Sequence, residues 1–120
     1  MYKIKLIVGL PGSGKTYYMN QLDGHKIDDP KIGQEFPTLD QDIIITDPNF
    51  CNEKTLNKAV EKLGSIYPDT EIELIYFENK PEKCLRNVEY RNDGREVSQF
   101  IKHYSSIYNP PKNALEIWQP

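Results

Sequence analysis

The sequence predicts an α/β fold of three layers, helices on both sides of a mainly parallel sheet of about five strands. Three observations predict it. Lys3-Ile4-Lys5-Leu6-Ile7-Val8 begins as an alternation and ends as an apolar run, the pattern of a strand entering a sheet covered on both faces. Ile43-Ile44-Ile45-Thr46 is a second, strongly β-branched run. Stretches with apolar residues at helical spacing separate such runs, and strands alternating with helices specify parallel pairing.

Each element has its local cause. Gly9 to Gly14 is a glycine-rich turn after the first strand, and Lys15 to Leu22 reads as a helix stopped by Asp23-Gly24. Lys26-Ile27-Asp28 suits a short strand. Asn52 is placed to cap a helix from Glu53, with Leu56, Val60 and Leu63 on one face and Gly64 as its stop. Glu71 to Phe77 reads as the next strand. Pro81 suits the first turn of a helix to about Asn92, with Cys84, Leu85 and Val88 inward. A further helix carries Val97, Phe100, Ile101, Tyr104 and Ile107, ended by Asn109-Pro110-Pro111. Ala114 to Trp118 reads as a last strand.

Composition narrows the function classes. The chain has 120 residues, 38% of them hydrophobic, and a net charge of −3. It fits a single domain over residues 1–120 and is too apolar to be disordered. The acidic balance argues against a general nucleic-acid coat, which needs excess Lys and Arg. No apolar stretch approaches the roughly 20 residues of a membrane span, so no membrane partner is expected and the setting reads as cytoplasmic. Two cysteines, Cys51 and Cys84, are too few for a disulfide framework and read as small core residues.

The chemistry is carried by Gly9-Leu10-Pro11-Gly12-Ser13-Gly14-Lys15-Thr16, which matches the phosphate-binding P-loop pattern GxxxxGK[ST]. Glycines let the backbone curl so that successive N–H groups face phosphate oxygens. The helix that follows turns its positive end toward the same point. In this pattern Lys15 reaches the β- and γ-phosphates of a nucleoside triphosphate and Thr16 offers its hydroxyl to Mg²⁺. Gly9, Pro11, Gly12, Ser13 and Gly14 form the loop itself. The fold class is thereby a P-loop NTPase, with ATP and Mg²⁺ as expected cofactors.

Other residues complete a site. Asp47 ends the Ile43–Thr46 strand as a second metal-positioning group; followed by Pro48-Asn49, it also suits a turn. Asp28 would accept a proton from an attacking hydroxyl. Asp29, before Pro30, has the same chemistry but also suits a helix N-cap. All three arginines, Arg86, Arg91 and Arg95, fall in residues 80–96, while the other cationic side chains are lysines. Arginine suits bidentate phosphate contact. Arg86 and Arg91 are five residues apart, about 140° around a helix, so they need not meet one phosphate. A solvated helix face explains part of this charge equally well. Tyr104, Tyr108, Pro110 and Pro111 are candidates to flank an adenine ring.

Taken together, Gly9–Thr16, Asp28-Asp29, Ile45-Thr46-Asp47-Pro48-Asn49, and Arg86-Asn87 with Arg91 and Val97 resemble the polynucleotide 5′-hydroxyl kinase branch of the P-loop kinases, the phage enzymes especially. The resemblance spans about residues 3–108. It implies that Lys15 and Thr16 grip ATP–Mg²⁺, that Asp28 is the general base on a 5′-hydroxyl, and that Asp47 positions the metal. It also implies that Arg86 acts from a mobile lid over residues 80–96, supported by Asn87 and Arg91. Two departures bear on the acceptor. Lys31 stands where the family has arginine, and only residues 30–42 separate Asp29 from Ile43, where the family has a long helical segment. No second catalytic domain is expected after it.

The expected activity is transfer of the γ-phosphoryl of ATP to a hydroxyl at a nucleic-acid 5′ end or on a nucleotide. The alternatives are a kinase for a nucleoside or another small metabolite, and a nucleotide-binding interaction module without transfer. The compact size and Lys/Asn/Tyr-rich composition suit a viral origin.

Overall fold

The computed structural model describes residues 2–28, 36–91 and 97–119. Its elements in chain order are β1 (Ile4–Val8), α1 (Lys15–Asn20), β2 (His25–Asp28), β3 (Ile43–Thr46), a 3-10 turn (Pro48–Cys51), α2 (Glu53–Ile66), β4 (Ile72–Tyr76), α3 (Pro81–Arg91) and α4 (Ser98–Ser105). Asp29, Lys31 and Arg95, all singled out from the sequence, lie outside the described residues.

Among the described residues the sheet has four strands in the order β2-β3-β1-β4, all parallel. The two inner strands, β1 and β3, carry the most apolar runs. Ile4, Leu6, Ile7, Val8, Ile43, Ile44 and Ile45 are buried although neighbours along a strand point to opposite faces. Both faces of the sheet are therefore covered. Thr46 fits among them because its hydroxyl donates to the Ile7 carbonyl at 3.2 Å.

The expected fifth strand is reduced to one bridge. Leu115 pairs with Phe77, its amide donating to the Tyr76 carbonyl at 2.7 Å and its carbonyl accepting from Glu78 at 2.8 Å. The ladder stops there because the Ile117 amide donates to the Glu78 carboxylate at 2.8 Å, where a strand would offer a main-chain carbonyl. On the other side the chain after Glu78 is already turning into α3 at Pro81.

Three helix ends also differ from expectation, the first being α1, which ends at Asn20 rather than Leu22. Helix α2 starts where Asn52 predicts, its side chain accepting from the Lys54 and Thr55 amides. It then runs through Gly64 to Ile66. Gly64 is exposed and helical there, and the amide of Tyr67 closes the end on the Leu63 carbonyl. Helix α4 ends at Ser105, leaving Ile107 in the following turn.

Register brings the chemistry to one edge. Thr46 is level with Ile7 on one side and with Asp28 on the other. Asp28, Asp47 and the start of the glycine loop thus share the carboxyl edge of the sheet. The chain leaves β1 for β2 on one side and later adds β4 on the other, which makes β1 the point where strand order reverses. A crevice opens at such a point in parallel α/β sheets.

Candidate functional site

The loop from Gly9 to Gly14 is held in shape by its own backbone and by α3. Gly12 has φ +82°, and a Cβ there would lie 2.8 Å from the Cys84 carbonyl oxygen. Only glycine allows both that conformation and that approach. Gly14 (φ +93°) caps α1 in the left-handed region with no side-chain cap. The first turn of α1 therefore points N–H groups without intrahelical acceptors back at the loop.

Lys15 is folded under this loop. Its ammonium donates to the Gly9 carbonyl at 2.7 Å and to the Leu10 carbonyl at 2.9 Å, and the residue is buried. Burial lowers its pKa from the ordinary 10.5, against the pull of nearby Asp28 and Asp47. An anion arriving at the loop would add its charge to those of Asp28 and Asp47 in stabilising this ammonium. Ser13 is fully buried, and its hydroxyl has no hydrogen-bond partner among the described residues.

A cleft of about 760 Å³ opens over the loop. Pro11 to Tyr18 form its floor. Asp28 and Pro48 come to it from the ends of β2 and β3, Gln21 from just beyond α1, Asn87, Tyr90 and Arg91 from α3, and Leu115, Glu116 and Trp118 from the segment beside β4. The Thr16 hydroxyl lies 3.4 Å from the Asp28 carboxylate. A hydroxyl beside a carboxylate suits Mg²⁺, which takes one or two protein oxygens and fills its shell from phosphates and water. Among the described residues no group of three His, Cys, Asp or Glu side chains converges on a metal, so phosphates and water would have to complete such a shell.

Asp47 is buried behind the cleft wall and is not among the lining residues. Its carboxylate accepts from the Asn49 amide at 2.9 Å and so caps the 3-10 turn. The turn role read from Asp47-Pro48-Asn49 is thus present. Asn49 is held in turn by the Tyr104 hydroxyl at 2.8 Å.

On α3 the structure brings Arg91 into the cleft and leaves Arg86 exposed outside it. Helical geometry is the reason. Asn87, Tyr90 and Arg91 are spaced i, i+3, i+4 on one face, whereas Arg86 is turned about 140° from Arg91. The Asn87 side-chain amide donates to the Gly12 carbonyl at 3.0 Å and to the Trp118 carbonyl at 2.9 Å. It joins α3, the glycine loop and the C-terminal segment.

The aromatic candidates are redistributed. Tyr108 is a core residue, its hydroxyl donating to the Val8 and Phe77 carbonyls. Neither Tyr104, Pro110 nor Pro111 lines the cleft. Tyr17 and Trp118 do, stacked with centroids 6.2 Å apart and planes at 17°. Sequence reasoning missed this pair because 101 positions separate the two residues; the one local signal is that Tyr17 directly follows the loop threonine.

No protein-family model matches the chain. It is similar to an uncharacterized protein, R277, of Acanthamoeba polyphaga mimivirus, 29% identical over 116 residues, covering 87% of this chain and 84% of that protein. In three dimensions it is similar to a gluconokinase from Sinorhizobium meliloti 1021, with a TM-score of 0.64 and 12% identity over 98% of this chain and 83% of that one. Among the described residues no helix is long and apolar enough to cross a membrane. The likeness to the gluconokinase establishes the fold: an α/β arrangement of helices around a parallel sheet, with four strands among the described residues.

Proposed function

We propose that this chain is a kinase that transfers the γ-phosphoryl group of ATP, with Mg²⁺, to a hydroxyl of a small-molecule acceptor. The observation that carries the reading is one cleft holding the glycine loop, Lys15, Thr16, Asp28 and Arg91 together. Lys15 and the loop amides bind and orient the phosphates. Thr16 would hold the metal, which would supply charge neutralisation to the phosphates when bound. Asp47 steadies that edge of the sheet from behind. Arg91 faces the transferring group, and Arg86 would reach it only with a movement of α3. Asp28 is exposed at the end of β2, within the cleft, as a base on the acceptor hydroxyl requires.

A cleft of this volume suits a metabolite or nucleoside, and the gluconokinase likeness supports a small acceptor. A second reading, a 5′-hydroxyl of nucleic acid, is favoured by the motif resemblance through Arg86, Asn87 and Arg91.

Transfer from γ-labelled ATP to gluconate, nucleosides, nucleoside monophosphates and 5′-hydroxyl DNA and RNA tests both. Label is expected on one small acceptor, falling at least about 100-fold in Lys15→Ala and in Asp28→Asn. Label on oligonucleotides alone selects the second reading. Binding of ATP with no labelled product on any acceptor leaves a nucleotide-dependent interaction module and overturns the kinase reading.

A further inference from the structure

Two large aromatic side chains stand exposed at the cleft mouth, Tyr17 at 69% and Trp118 at 68% of their full accessibility. Their near-parallel planes and 6.2 Å centroid separation make a loose stack, near the long end of aromatic contacts. Tyr17 stands one residue beyond Thr16 and lines the same cleft. Trp118 is set there by Asn87, whose amide ties the Trp118 carbonyl to the carbonyl of Gly12. That arrangement leaves the Asn87 side-chain oxygen buried with no hydrogen-bond partner among the described residues. Lifting the Trp118 segment would expose that oxygen to water, which favours displacement. Trp118 follows Leu115 on the β4 side of the cleft, away from Asp28 on the β2 side, and Tyr17 rises from the floor between them.

We propose that Tyr17 and Trp118 form a stacking subsite for the base of the nucleotide whose phosphates occupy the glycine loop, with Asn87 as the residue that positions Trp118. The inference rests on the reading of that loop as a triphosphate site. The flat ring joins the aromatic pair as a further layer, or enters it by displacement of Trp118. Stacking is tolerant of base identity, because every base has a π-face. The subsite therefore favours nucleotides over bare polyphosphates more than it selects among bases.

Inorganic tripolyphosphate is the ringless probe that tests this, against a non-hydrolysable ATP analogue, by calorimetry on the full chain. The analogue is expected to bind at least about 10-fold more tightly than tripolyphosphate. Tyr17→Leu and Trp118→Leu should each shrink that ratio while leaving tripolyphosphate affinity unchanged. Trp118 is the sole tryptophan, so wild-type emission should respond to the analogue and not to tripolyphosphate. Asn87→Leu should lower the ratio through Trp118 and add little in the Trp118→Leu background.

An equal affinity for both probes in the wild type, or a ratio unchanged in both aromatic variants, overturns the subsite and leaves the loop reading standing. Additive effects of Asn87→Leu and Trp118→Leu overturn the positioning role. A further emission change when adenosine is added over saturating analogue assigns the ring to an acceptor and overturns the proposal. Failure of the wild type to bind either probe overturns the loop reading and the subsite with it.

Discussion

Lys15 keeps its ammonium under the glycine loop on two carbonyl oxygens, and burial lowers its pKa from 10.5. Only the protonated form can hold a polyanion. Raising the pH through the lowered value removes the charge, so triphosphate affinity should decline on the alkaline side before 10.5 is reached. Calorimetric titration at successive pH values checks this, with the acidic limb unaffected by Lys15. The loop was legible because its eight residues are contiguous and each does its work through its own backbone or tip. Arg91 and Arg86 were legible as a pair, but the choice between them was not. It depends on which face α3 turns to the loop, and Gly12 against Cys84 and Val88 decides that. Trp118 reaches the site only through a side-chain amide on another element, which no local pattern signals.

At the level of elements, β1, β3, α2 and α3 followed from apolar period and capping residues. The final strand did not form because Glu78 takes the Ile117 amide with its side chain. Burial pushes the Glu78 carboxyl up, but that amide bond and the Lys83 ammonium at 3.0 Å outweigh it, and its pKa lies below the ordinary 4.5. A carboxylate lowered on folding contributes stability above 4.5 and loses it as the pH falls through the lowered value. Acidification below 4.5 should therefore loosen the C-terminal segment locally. Trp118 emission intensity should change there as its stack on Tyr17 loosens, and Glu78→Ala should show the changed emission already at pH 6. Identical emission in Glu78→Ala at pH 6 would show that the segment is held by other means. Gly64 carries the complementary lesson. A glycine stops a helix only where the chain is ready to turn, and here Leu63 still had a face to bury.

For the molecule as a whole, the layered α/β class was legible from alternation alone, whereas the placement of Asp47 behind the cleft wall was not, since it depends on the 3-10 turn that follows. The interior that results encloses both cysteines. Burial pushes the thiol of Cys51 up to about 11 and that of Cys84 to about 12, with Lys15 pulling each back. Neither is a nucleophile at neutral pH. Modification by a thiol reagent at pH 8 should proceed only through opening of the fold, and at once in denaturant. A ligand that binds the folded state alone should slow it further. Rapid labelling of the native protein would show that the core near the loop opens locally.

The sheet order also governs how the chain comes to be made. Ile4 pairs with Ile43 on one side and Ile72 on the other. Of the four described strands the first to be synthesised is thus the last to gain both neighbours, and closing such distant contacts is slow. Until Ile43–Thr46 is made, Leu6-Ile7-Val8 is an unpartnered sticky segment that a chaperone could hold. The phosphate loop waits longer still, because the helix that packs against Gly12 begins only at Pro81. A nascent chain cut short before that helix carries the whole loop motif and none of the wall that shapes it.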